Sequence, residues 1–283
     1  MLSRRTLLAA GAGTVALAAC GTSSETSTAS KEGINLLVVT PEAEAGKPSR
    51  LAFVLQDDNR EFISPGEVTL QFGPAQDRFT SPLVQGRVFT DAAPAPPYFT
   101  VEAELAPKGV VWARATVDGR TATAPITIVD VKPGLNRGLR MPSVTTPSPS
   151  DNAGVDPVCT RPEGPCPWHD VSLDQALAAG RPLAVLVATP AFCQQTTCGP
   201  VLDVLLKAQP EVGDRVRFLH LEVYATRPTG PEVTKTPLAP AVKAFALTSE
   251  PMLFTVGADG IVKDRIEGLY GLTEAKAALT KLL

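Results

Sequence analysis

Five cysteines are the residues of this 283-residue chain best suited to chemistry, and their spacing sorts them. Cys20 stands alone near the N-terminus, whereas Cys159/Cys166 and Cys193/Cys198 form two tight pairs. A thiolate can attack a disulfide, close a bridge or bind a metal. In an oxidising compartment, four cysteines grouped this way read as two disulfides, structural or redox-active. A four-ligand zinc site usually takes shorter gaps inside each pair, so no metal and no cofactor is expected. His169 has no second ligand beside it in sequence, and His220, in the middle of Phe218-Leu-His-Leu-Glu222, reads as a packed or surface strand histidine.

The two pairs make different demands on the backbone. Cys159-Thr-Arg-Pro-Glu-Gly-Pro-Cys166 carries turn residues between its thiols, and Glu163-Gly164-Pro165 lets the chain double back into a small ring. A structural disulfide between Cys159 and Cys166 is therefore expected. In Cys193-Gln-Gln-Thr-Thr-Cys198 the thiols are five positions apart. On a regular helix such positions lie about 140° apart with Cα atoms roughly 8 Å apart, and a disulfide wants them closer than about 7 Å. Bonding Cys193 to Cys198 thus requires residues 194–197 to form a loop. Pro200 suits the first turn of a helix that starts just past Cys198.

The N-terminus bears on the compartment. Arg4 and Arg5 precede an apolar run from Thr6 to Ala19, too short to span a bilayer but suited to a signal-peptide core. Ser3-Arg4-Arg5-Thr6-Leu7-Leu8 resembles a twin-arginine export signal, and Leu17-Ala18-Ala19-Cys20 resembles a bacterial lipobox. That resemblance implies cleavage after residue 19, diacylation of Cys20, and a protein lipid-anchored at the extracytoplasmic face of the cell membrane. The small polar residues of 20–33 read as a flexible tether. Net charge is −3 without a basic cluster, which excludes an electrostatic footprint for nucleic acid.

The elements that must position the cysteines change character along the chain. From 34 to 132 the pattern is β: Ile34–Val39, Ser49–Leu55, Glu67–Phe72, Phe99–Leu105, Val110–Val117 and Ala122–Val129 are short, β-branched and often alternating, with Asp118-Gly119 as a hairpin turn. This spacing suggests a β-sandwich, and Gly109-Val-Val-Trp112 with Ala113–Gly119 is similar to late strands of bacterial immunoglobulin-like domains. Trp112 is read as a core residue. A Pro/Ser-rich linker over 133–167 carries the first cysteine pair. Over 168–283 helices and strands alternate in the order βαβαββα after a short helix at Ser172–Gly180.

That order resembles the thioredoxin-like fold, with a cysteine motif directly after the first buried strand, Pro182–Ala188. Phe245-Ala-Leu-Thr-Ser-Glu-Pro-Met-Leu-Phe-Thr-Val256 looks like the family's stretch around its cis-proline. The resemblance implies that Pro251 is cis, that it lies beside Cys193 and Cys198, and that Pro251 and Glu250 border the substrate. The family carries Cys-x-x-Cys, and this chain departs from it. Either Cys193 takes the exposed first place and Cys198 resolves it, or Cys198-Gly199-Pro200 matches the start of the family's Cys-Gly-Pro-Cys. In the second register Cys198 sits at a helix N-terminus, where the dipole favours a thiolate, and the preference falls slightly on it.

The expected architecture is thus multi-domain: an N-terminal all-β immunoglobulin-like sandwich plus a C-terminal α/β thioredoxin-like domain. The leading function is thiol–disulfide exchange through Cys193 and Cys198, with extracytoplasmic protein thiols or disulfides, or a membrane redox donor, as partners. Its competitor is a redox-silent lipoprotein binding module with a structural Cys193–Cys198 disulfide. A peroxiredoxin-like peroxidase stands behind both, because Pro190 occupies the place of that family's Thr or Ser three residues before the cysteine.

Overall fold

Residues alternate in and out along a strand, and that alternation builds the first part of the computed structural model, which describes residues 33–193, 197–229 and 233–283. The signal peptide 1–19, Cys20 and its tether up to residue 32, and residues 194–196 of the expected loop lie outside them. The strands are β1 Ile34–Val38, β2 Glu42–Glu44, β3 Pro48–Asp57, β4 Phe62–Ile63, β5 Thr69–Gly73, β6 Val84–Gln85, β7 Arg87–Phe89, β8 Tyr98–Glu104, β9 Gly109–Val117 and β10 Arg120–Val129. One sheet runs β1-β3-β8-β7 with β4 on β3, and the other runs β2-β10-β9-β5-β6. Leu51, Phe53 and Leu55 of β3 and Phe99 and Val101 of β8 share a core with Leu70, Ala113, Ala115, Ile126 and Ile128 of the second sheet. Because Val111 and Ala113 point inward, Trp112 between them faces outward and is half-buried. The expectation of a core tryptophan is corrected by the strand's own period.

Beyond Leu173 come α1 Leu173–Ala178, β11 Leu183–Val187, α2 Cys198–Ala208, β12 Arg217–Leu221, α3 Pro240–Ala244, β13 Met252–Val256, β14 Val262–Glu267 and α4 Leu272–Thr280. The sheet order is β12-β11-β13-β14, with β11 and β12 parallel and the last two strands antiparallel to their neighbours. This is a thioredoxin-like arrangement. The central strand β11 is buried at all five residues, as a strand covered on both faces must be. Helix α2 begins at Cys198, two residues before the proline expected to open it. The first four N–H groups of a helix lack intrahelical partners, so Pro200 costs no hydrogen bond there.

The segment 133–167 holds no helix or strand among its residues, yet it packs. Leu135, Met141 and Val155 enter the same core as β11 and β13. Gly134, at φ +79, brings the chain so close that a Cβ would meet the Ala246 carbonyl oxygen at 2.7 Å.

The described residues form one compact unit, and the β-sheets contribute directly to the α/β part. Tyr98, stacked on Phe89 at 4.9 Å between ring centroids, joins the core around α2 and α4. Its hydroxyl donates to Glu274 and accepts from the Gly271 N–H at 2.7 Å. Asp91, just after β7, accepts from the Thr273 N–H at 2.6 Å, so the start of α4 is capped by a residue distant in sequence. Arg50 clamps Glu274 through Nε at 2.8 Å and Nη2 at 2.7 Å and also donates to the Leu269 carbonyl at 2.7 Å.

Candidate functional site

Strand β11 runs directly into the second cysteine pair. Its pairing with β13 sets Met252 opposite Val187, so Pro251 lies level with Ala188, where the chain leaves the sheet for the cysteine loop. A turn closed by the Phe192 N–H on the Thr189 carbonyl, 3.1 Å, then brings the chain to Cys193. The Glu250–Pro251 peptide is cis.

The two thiols are unequal. Cys198 is fully buried in the first turn of α2, whereas Cys193 is half-buried and packs at the edge of the same core. Burial pushes the Cys198 thiol far above its usual range, and the hydrogen bond and charge of Cys193 push it further. The preference for Cys198 as the more acidic thiol is therefore corrected: desolvation outweighs the helix dipole, worth only about 0.3–1 kcal/mol. Tyr270, fully buried and within electrostatic reach of Cys198, donates its hydroxyl to the Val201 carbonyl at 3.2 Å.

Glu250 precedes the cis-proline and interacts electrostatically with both cysteines. Burial raises its carboxyl, and the charge of Cys193 raises it further. Tyr224, buried nearby, is raised by burial and then by Glu250 and both cysteines. The charges of Glu250 and Cys193 raise Cys198 and Tyr224, and Cys193 also raises Glu250, so these groups influence one another electrostatically. Tyr224 is the member that sequence reasoning missed, because it comes from the segment after β12 rather than from the cysteine or proline loops. Phe192 flanks the site with the Arg227 guanidinium 5.6 Å from its ring centroid.

The first cysteine pair has different neighbours. Cys159 and Cys166 are buried thiols, and the structure holds no bond between them. The expected turn is present, with the Gly164 N–H on the Arg161 carbonyl at 3.1 Å. His220 Nδ1 lies 3.6 Å from Cys159 Sγ and 3.5 Å from Cys166 Sγ, and His169 Nε2 lies 3.3 Å from Cys166 Sγ. Burial alone would lower His220; the hydrogen bond to Cys159 and the charge of Glu222 outweigh it and raise the imidazole. Cys159 is held well below the usual thiol range, chiefly by its hydrogen bond from Cys166, and Cys166 is pushed up as the donor. Glu222, also buried, accepts the Thr160 N–H at 2.6 Å and its hydroxyl at 2.9 Å. These four cysteine and histidine residues are the group whose donor atoms converge closely enough to hold a metal ion among the described residues.

No helix among the described residues is long and apolar enough to cross a membrane. No protein-family model matches the sequence, and no curated protein matches it. Solved structures with local similarity include a thiol:disulfide interchange protein of the thioredoxin family from Chlorobium tepidum TLS, 14% identical, with a TM-score of 0.33, covering 54% of this chain and 99% of that one. A superoxide reductase (neelaredoxin) from Ignicoccus hospitalis is 17% identical with a TM-score of 0.21, over 35% of this chain and 83% of that one. The site's chemistry accordingly rests on this chain's own residues.

Proposed function

We propose that this chain is a thiol–disulfide exchange protein held at the extracytoplasmic face of the membrane by lipid on Cys20, with Cys193 as attacking thiol and Cys198 as resolving thiol. The observation that carries this is the asymmetry of the pair: Cys193 is partly exposed, whereas Cys198 is buried at the head of α2. A structural disulfide would be served as well by two covered sulfurs; an exchange site needs one that a substrate can reach.

In the reducing direction the Cys193 thiolate attacks one sulfur of a substrate disulfide. A mixed disulfide forms and the first substrate thiolate leaves. Cys198 then loses its proton and attacks Cys193 Sγ, expelling the second substrate thiolate and closing Cys193–Cys198; two electrons have passed to the substrate. Burial keeps Cys198 protonated until that step. Glu250, whose charge acts on both sulfurs, is the carboxylate assigned to take the proton in this reading. The partner is an extracytoplasmic protein thiol or disulfide, or a membrane redox donor. The sheets of 34–132, an immunoglobulin-like sandwich in this reading, hold the exchange site away from the lipid.

Mixed-disulfide trapping tests the assignment. In Cys198→Ser, Cys193 should capture a small aromatic disulfide and hold it as a stable adduct, while Cys193→Ser captures none. Equal capture by both variants, or by neither, rejects the assignment.

A further inference from the structure

We propose that Cys159, Cys166, His169 and His220 form a closed tetrahedral Zn²⁺ site that clasps the segment 157–169 to strand β12. This departs from the structural disulfide and absent metal expected from the sequence.

The geometry carries the proposal. Zinc binds sulfur at about 2.3 Å and imidazole nitrogen at about 2.0–2.1 Å, so a tetrahedron has sulfur–nitrogen edges of about 3.6 Å. The observed sulfur–nitrogen separations are 3.6, 3.5 and 3.3 Å, and all four donor atoms lie within 4.8 Å of one another. Two thiolates and two imidazoles are the donor set of structural zinc, and they discriminate against calcium and magnesium, which take oxygen ligands.

The surroundings fit a ligand set rather than a chance meeting. His220 Nε2 lies 3.1 Å from the Ala188 carbonyl oxygen, which can only accept, so Nε2 carries the hydrogen. That leaves the Nδ1 lone pair pointing at both sulfurs, the arrangement that orients a metal-binding histidine. The Cys166 N–H also points at Cys159 Sγ, 3.5 Å away. Thr160 on Glu222 and Arg161 on Asp203, 3.1 Å, hold the segment against β12 and α2 independently of the four ligands. Cys159, Cys166 and His220 are no more than 9% exposed, and four protein donors leave no position for substrate, as in a structural site. A Cys159–Cys166 disulfide would consume both thiolates and leave the buried Nδ1 lone pair of His220 facing two sulfurs that have no hydrogen to donate, an arrangement that costs a lost hydrogen bond. On binding, Zn²⁺ displaces the proton of each thiol to solvent and no electron is transferred.

The test uses the full chain, reduced and kept anaerobic. One equivalent of Co²⁺ should give the intense visible bands of tetrahedral cobalt with sulfur-to-cobalt charge transfer, and equimolar Zn²⁺ should abolish them. Zn²⁺ uptake should saturate at one ion per chain and change the fluorescence of Trp168, which stacks on Phe218 at 5.1 Å beside His169. The double variant Cys193→Ser/Cys198→Ser should bind as the parent does, whereas His220→Ala or Cys166→Ser should lose affinity by more than 100-fold. Weak octahedral cobalt bands in the parent chain, or zinc retained by Cys166→Ser, would overturn the proposal. So would a mapped Cys159–Cys166 disulfide whose reduction yields no metal uptake. If a ligand variant fails to fold, the cobalt spectrum of the parent chain decides.

Discussion

Glu274→Ala removes one of the residues that tie the β-sheets to helix α4. Its carboxylate takes two hydrogen bonds from Arg50, at 2.8 and 2.7 Å, and one from Tyr98. The Arg50 and Glu274 side chains are 17% and 15% exposed, so the pair lies mostly out of water. Breaking a buried pair by removing one partner costs about 3–5 kcal/mol, because the remaining charge loses its compensation. Arg50 keeps the Leu269 carbonyl at 2.7 Å, which places the loss at the lower end, about 3 kcal/mol. With a urea m-value of about 3 kcal/mol/M, the midpoint should fall by about 1 M. Asp170→Ala is the control: Asp170 and Arg217 pair at 2.6 Å but are 54% and 37% exposed. Exposed pairs contribute little, so that midpoint should move by less than about 0.2 M. Trp112 in the sheets and Trp168 in the α/β part should report one shared transition in the parent chain, since Tyr98 and Phe89 belong to the core around α2. A Glu274→Ala shift no larger than that of Asp170→Ala would refute the account of the lock.

Tyr98→Phe removes the hydroxyl that joins Glu274 to the Gly271 N–H and should cost about 1–2 kcal/mol in the same assay; an unchanged midpoint would remove Tyr98 from the network. In the reduced native protein at pH 8, iodoacetamide should modify Cys193 more than about 100-fold faster than Cys198, whose thiol burial raises, and equal labelling by mass mapping would contradict the unequal pair. Glu250 gives a pH signature. Its folded carboxyl is raised above the usual 4.5 by burial and by Cys193, so its contribution to stability is fully present below about 4.5 and is lost as pH rises through the folded value. Glu250→Gln should therefore match the parent at pH 4 and exceed it at pH 8, with several-fold faster alkylation of Cys193; a pH-independent difference would refute this. Cys20→Ala should abolish incorporation of labelled palmitate, and persistent label would place the lipid elsewhere.

Strong local patterns carried much of the fold. Strand β13 was legible as a short apolar run, interrupted only by Thr255, between Pro251 and Gly257, and β11 as five consecutive apolar residues. Strands β2, β4, β6 and β7 were not legible, because two or three residues cannot display a period. The proline-rich composition of 133–167 announced an irregular segment but hid its packing, which depends on single apolar anchors such as Leu135 and Met141. Both thiol pairs were visible as spacings, but their inequality was not, since the burial of Cys198 is a tertiary property. His220 was the hardest to place. Its partners lie 61 and 54 residues earlier, and only the fold brings them together. The signal available was Cys166-x-x-His169, a short ligand spacing that the longer gap between Cys159 and Cys166 obscured.

The most direct test of the exchange function is the reduction potential of the Cys193–Cys198 pair in the full chain. The protein is equilibrated in glutathione buffers and trapped with an alkylating reagent, and the peptides carrying these two cysteines are read by mass so that Cys159 and Cys166 do not contribute. A midpoint between about −270 and −120 mV, within the span of known exchange proteins, is predicted. A midpoint below about −300 mV, or a pair that is reduced only in denaturant, would contradict it and mark the bond as structural.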